Sequence, residues 1–169
     1  KGITSSYLPL AATVSTTRIS DVFAGEKNLF RQALTFGGHP VCAAAALANI
    51  EIIESEQLVN NSARTGLYFL YKLKKLQEIH PIIGDVRGLG LLLGLELVKN
   101  LETKESFTHK SGMSNKLNKE FRSNGLILFA NDKGVPLNPP LCIKESEVDF
   151  IVDVIHKSLS NVEKEFSIV

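Results

Sequence analysis

The sequence predicts a mixed α/β chain in two unequal parts. Residues 1–59 read as the C-terminal edge of a larger domain, and residues 60–169 as a small α+β domain whose helices cover one face of a sheet. Two observations carry this. From Asn61 onward the apolar spacing moves between helical and strand periods, in the order helix, strand region, helix, strand, strand, helix. Before that point the chain holds a short apolar run, two loops and an alanine-rich helix, too little to close a core alone.

In chain order, Lys1 to Tyr7 reads as a loop and Leu8 to Ser15 as a short buried strand. Thr16 or Thr17 is placed to cap a short helix reaching Phe23. Ala24 to His39, with Gly25, Gly37 and Gly38, shows little periodicity and reads as loop. Pro40 stands where a first helical residue would, and Val41 to about Ile53 continues with Ala43 to Ala46 and Ala48. A second helix is expected from about Asn61 to Ile79, with Leu67, Leu70, Leu73 and Leu76 inward and Lys72, Lys74 and Lys75 outward, ended by Pro81. Ile82 to Val98 reads as strand, glycine turn, strand. Lys99 to His109 is polar and expected as a surface loop. Lys110 to Asn124 should be an amphipathic helix carrying Met113, Leu117 and Phe121, with Gly125 as its cap. Leu126 to Ala130 and Val135 to Ile143 read as strands about an Asn131–Gly134 turn, the second limited to an edge by its prolines. The last helix is expected from Ser146, with Ser146 and Asp149 as a capping box and Val148, Ile151, Ile155, Leu159 and Val162 as its buried stripe.

Composition narrows the function classes. Apolar residues make up 44% of the 169, enough for a core. A net charge of +1 gives no electrostatic reason to expect nucleic acid or an anionic membrane. Cys42 and Cys142 form no metal pattern, and a reducing compartment, the cytoplasm, is the expectation. No segment has the length of a membrane span. The chain opens inside a Gly/Ser-rich loop without Met, so it is expected to be a fragment of a longer protein.

The chemistry-bearing candidates are few. Lys1, followed by Gly2 and two serines, has an amine able to form an imine with an aldehyde cofactor and to act as acid or base. On composition alone it is also an ordinary surface lysine. Leu34-Thr35-Phe36-Gly37-Gly38-His39-Pro40 offers a hydroxyl and glycine amides just before a helix start, a place that suits an anion. The same residues also make a plain turn. Val86-Arg87-Gly88-Leu89-Gly90 lacks dinucleotide-loop spacing and is followed by a strand, so it is structural, with Arg87 set to pair with Asp85, Glu96 or the chain carboxylate. No metal-ligand pattern is present.

Four segments carry a resemblance. Lys1 to Leu10, Leu34 to Ala44, Gly84 to Leu91, and Pro139-Pro140-Leu141 with Glu147-Val148-Asp149 are similar, in order, to segments of the class III aminotransferases, especially the ω-amino acid–pyruvate branch. The resemblance implies a pyridoxal-phosphate-dependent transferase of fold type I, of which this chain is the end of the large domain plus the small domain. It implies Lys1 as the catalytic residue, bonded to pyridoxal 5'-phosphate and moving the proton between substrate Cα and cofactor C4′. It implies Thr35, with Phe36, as cofactor-binding, Thr35 holding the phosphate of the partner subunit in a homodimer with shared active sites. The reaction implied is amino transfer from an amine or amino acid to an oxo acid such as pyruvate. The family's phosphate loop, ring-stacking aromatic and pyridine-nitrogen Asp precede the matching Lys, so the chain alone is expected to be inactive. Another reaction on the same scaffold, an aminomutase or decarboxylase, and a non-catalytic dimerisation module remain as alternatives. One departure stands out. Many relatives place an arginine where this chain has Phe129, and Arg122 belongs to the preceding helix.

Overall fold

The computed structural model describes residues 1–166, the side chain of His109 excepted. It forms two compact units, Lys1–Gln57 and Leu58–Val169.

In the first unit a 3-10 turn, Gly2–Thr4, is followed by a segment without helix or strand. The expected buried strand over residues 8–15 is absent: no ladder forms there, and Val14 is 94% exposed. Its apolar content fits a strand, but a strand exists only against a neighbour, and none of the described residues supplies one. Helix α1, Thr17–Ser20, runs into a 3-10 turn at Asp21–Phe23, with Thr16 extended at the N-cap but making no side-chain cap bond. Helix α2, Pro40–Ser55, starts with proline at its first turn, as expected. Cys42 and Ala46, one turn apart, are its buried residues.

In the second unit helix α3, Leu58–Ile79, buries Thr65, Gly66, Phe69, Leu73 and Leu76. Leu67, expected in that stripe, is 70% exposed. A strict three-residue spacing falls behind the 3.6-residue turn and rotates off the face, so Phe69 takes the inward place. Strands β1, Ile83–Leu89, and β2, Leu92–Asn100, pair antiparallel with Val86 opposite Leu95. The turn between them uses Gly90 at φ +55, a left-handed conformation that suits glycine. Strand β3, Glu105–Ser106, lies within the segment expected as a loop and pairs with the end of β2.

Helix α4, Met113–Ser123, buries Met113, Leu117 and Phe121. Gly125 at φ +81 ends it, and the Leu126 N–H returns to the Phe121 carbonyl at 2.9 Å. Residues 126–130, expected as a strand, have no regular secondary structure and join no ladder. Their anchor is a side chain: Asn118 donates to the Ala130 carbonyl at 2.9 Å and accepts its N–H at 2.7 Å. Strand β4, Gly134–Leu137, pairs with β2, Leu93 opposite Leu137, carries Pro136 within it and stops before Pro139 and Pro140. Helix α5, Glu145–Glu165, buries Val148, Val152, Ile155, Leu159 and Val162, with Val152 where Ile151 was expected. The expected Ser146–Asp149 box does not form. The helix begins one residue earlier, Glu147 reaches back to the Lys144 N–H at 2.9 Å, and Asp149 instead binds Tyr68 and Lys72 of α3.

The sheet buries Leu93, Leu95 and Leu97 under α3, α4 and α5 in one core with Phe69, Leu73, Phe121 and Ile155. Alternation turns the other face outward, where Arg87 donates to Asp85 at 2.6 Å and Glu96 at 2.7 Å. The chain carboxylate, another partner considered for Arg87, lies outside the described residues.

Candidate functional site

Lys1 opens the 3-10 turn, and the chain folds back so that the Ser6 N–H donates to the Lys1 carbonyl at 2.9 Å. Ser5 and Ser6 hold positive φ values, 51° and 65°. Non-glycine residues adopt that region at a cost of roughly 1–2 kcal/mol each, and such strain concentrates at functional sites. The turn is pinned from two sides. The Thr4 hydroxyl donates to the Leu8 carbonyl at 2.6 Å, and Asn49 of α2 donates to the Gly2 and Ile3 carbonyls at 3.0 and 3.3 Å. The Lys1 side chain is exposed, has no ion pair among the described residues, and lines a hollow of ≈ 380 Å³ with Ser6, Tyr7, Leu8, Pro9 and Leu10.

The Thr35 segment enters the other end of α2. The Gly37 N–H donates to the Leu34 carbonyl at 2.9 Å and the His39 N–H to the Phe36 carbonyl at 3.3 Å, and Gly38 sits at φ +66 with open space around it. The Thr35 hydroxyl is exposed and bonded to none of the described residues. Phe36 is 79% exposed, its ring 6.2 Å from that of His39, and the buried Nδ1 of His39 has no partner among the described residues. Both candidate segments thus hang on one helix, the first at Asn49 and the second at Pro40. Nine residues separate those attachments, roughly 14 Å along the axis at 1.5 Å per residue.

In the second unit Phe129 is 65% exposed and lines a hollow of ≈ 420 Å³ with Asn118, Arg122, Ile127, Leu128, Pro136 and Asn138. Its sequence neighbourhood lacks an arginine, yet the structure brings Arg122 to the same hollow. The reason is Asn118: by clamping Ala130 it lays the 126–130 segment along α4, where residue 122 follows residue 118 by one turn. A second, apolar hollow of ≈ 460 Å³ lies between Phe69, Leu128, Leu137, Ile143 and Phe150, with Cys142 at its wall. No helix of the described residues is long and apolar enough to cross a membrane, and the described residues hold no cluster able to bind a metal.

No local pattern in the sequence points to Asn49, to Asn118 or to the buried Glu163–His80 pair with the exposed His156 beside it. Each acts on a residue distant in the chain.

Comparison with known proteins gives a consistent answer. Residues 1–159 match the family model for aminotransferase class-III. The chain is 40% identical over 171 residues to the uncharacterized aminotransferase YhxA of Bacillus subtilis, covering 96% of this chain and 37% of that protein. It is 37% identical over 179 residues to the taurine–pyruvate aminotransferase of Bilophila wadsworthia, covering 99% of this chain and 39% of that protein. Among solved structures it is similar to an amine transaminase from an uncultivated Pseudomonas species in its PLP-bound, internal aldimine form, with a TM-score of 0.89 and 32% identity over 96% of this chain and 37% of that one. The chain therefore spans little more than a third of the length of these relatives.

Proposed function

The chain belongs to the class-III aminotransferases, and from that premise we propose that the protein carrying it transfers an amino group from an amine or amino acid to an oxo acid such as pyruvate, using pyridoxal phosphate. The observation that carries the reading is the strained, doubly pinned turn that presents Lys1. Residues 1–59 are read as the edge of the cofactor-binding domain and residues 60–169 as the small domain, in a cytoplasmic homodimer. The free thiols of Cys42 and Cys142 agree with that location.

The residues present fit the cofactor. A phosphate needs donors, and Thr35 offers an unused hydroxyl in a glycine turn ahead of the N-terminus of a 16-residue helix. Lys1 offers an amine with no ion pair among the described residues. When bound, pyridoxal phosphate supplies an aldehyde that captures amines and a ring that draws electrons from the substrate Cα–H bond. With the cofactor bound, Lys1 Nζ would be the residue that holds it and, when free, the base able to move a proton between the substrate Cα and C4′. The pinned 3-10 turn fixes the direction from which that nitrogen approaches. With the cofactor bound, Thr35 would donate its hydroxyl to the phosphate, with Phe36 beside it in the same turn. The resemblance to the class-III family supports assigning Thr35 to the partner's site.

The test is an amino-transfer assay with pyruvate as acceptor, using the gene product that carries this chain. Alanine should form from an amine donor in the wild type. With Lys1→Ala the rate should fall to background, with folding unchanged by circular dichroism. Undiminished alanine formation by Lys1→Ala would sink the proposal.

A further inference from the structure

Near the end of the last helix a carboxylate and two imidazoles form a chain from the interior to the surface. Glu163, 4% exposed, faces His80 Nδ1 with Oε2 at 2.7 Å. His80, 3% exposed, meets His156 Nδ1 with its Nε2, also at 2.7 Å. His156 is exposed, two turns before Glu163 on α5, and its ring stands edge-on to that of His80 with centroids 4.9 Å apart. The remaining Glu163 oxygen faces the Ile82 N–H at 3.5 Å. The cluster therefore joins the end of α5 to the corner between α3 and β1.

Hydrogen counting constrains this arrangement. A buried carboxylate is costly without a donor, and His80 Nδ1–H is the short one available. That leaves His80 Nε2 to meet His156. Two ring nitrogens 2.7 Å apart hold a single hydrogen between them, because two N–H groups pointed at each other would collide. The pair of rings accommodates one extra proton and excludes a second. When each ring is doubly protonated the contact must break. His80 stays with Glu163, and His156, already at the surface, turns into water.

We propose that His156 is a proton-operated latch on the C-terminal half of α5, closed over the buried His80–Glu163 pair while the rings share one hydrogen and open when each carries its own. Opening admits water to Glu163 and loosens α5 against the α3–β1 corner. Opening takes up a proton, so it is favoured as the pH falls. The charged groups around the latch are otherwise engaged or turned out. On α5, Asp153, Lys157 and Lys164 are exposed. On α3, Glu78 pairs with Lys75. On α4, Lys116 pairs with Glu165, and Glu120 accepts from Asn161.

Amide hydrogen exchange of the full chain tests this. After correction for intrinsic chemistry, residues 156–163 should lose about tenfold protection between pH 7.5 and 5.5 relative to residues 117–121 of α4. His156→Gln, which keeps a hydrogen-bonding side chain that cannot charge, should lose none. Unchanged wild-type protection, or an equal loss in His156→Gln, overturns the proposal. Imidazole nitrogen spectra give a check that needs no variant: one hydrogen should lie between His80 and His156 while α5 is protected. Two doubly protonated rings still in contact would overturn it as well.

Discussion

Gly66 is where the second unit tolerates least change. A Cβ at this position would lie 2.2 Å from both the carbonyl carbon and oxygen of Gly90 and 2.6 Å from its Cα. All three are backbone atoms, so no side chain can rotate away. The hairpin cannot easily retreat, because the Ser62 hydroxyl accepts the Leu91 N–H at 3.2 Å and Leu91 is buried behind it. Helix α3 cannot retreat either without pulling Phe69 and Leu73, both 0% exposed, out of the core. Overpacking of this kind costs about 1–3 kcal/mol, and a backbone clash belongs at the upper end. Alanine recovers about 1 kcal/mol of helix propensity. Gly66→Ala should therefore destabilise by about 1–2 kcal/mol, seen in urea unfolding as a lower midpoint with an unchanged slope. Gly94→Ala is the control, since nothing lies within 4 Å of a Cβ there, and it should stay within about 0.5 kcal/mol of the parent. A Gly66→Ala protein as stable as the parent would refute the close-approach argument.

Thr35→Ala should weaken cofactor affinity by about tenfold to a hundredfold, the worth of one hydrogen bond to a charged group, and a fluorescence titration with pyridoxal phosphate that shows no change would count against Thr35 as a phosphate ligand. Phe129→Arg places a second cation in the hollow that Arg122 lines, and should raise kcat/KM selectively for donors bearing a carboxylate. An equal effect on donors without one would argue that the hollow does not read substrate charge. Asp149 tests the α3–α5 tie. Hydrogen bonds from Lys72 and then Tyr68 hold its carboxyl below the usual aspartate range. That stabilisation is present above the unfolded aspartate value of about 3.9 and is lost as pH falls through the lower folded value. The stability difference between wild type and Asp149→Asn should thus be flat through neutral and weakly acid pH and shrink only below about pH 4. A difference that fades near pH 6 would show that another group governs the tie.

The helices were largely legible in the sequence because their signals are local. Met113, Leu117 and Phe121 mark one face by themselves, Pro40 marks a start, and Gly125 marks a stop. The hairpin was legible for the same reason, its turn residue lying between two apolar runs. Two other expected strands were not. Residues 8–15 and 126–130 have strand-like composition, but pairing depends on a partner that composition does not name. The α5 cap went to Glu147 rather than Ser146 because Asp149 was drawn to Tyr68 and Lys72, more than seventy positions upstream. His80, His156 and Glu163 meet only through the fold. At the candidate site Lys1 and Thr35 stood out in the sequence as candidates. The strain at Ser5 and Ser6 and the support from Asn49 needed coordinates.

The assignment of Lys1 as the cofactor-bearing residue is tested most directly by reductive trapping. The gene product that carries this chain is loaded with pyridoxal phosphate, reduced with borohydride and mapped by peptide mass spectrometry. The account predicts a pyridoxyl group on Lys1 and loss of the visible absorbance in proportion to its formation. A label on another lysine, with Lys1 unmodified, would contradict it.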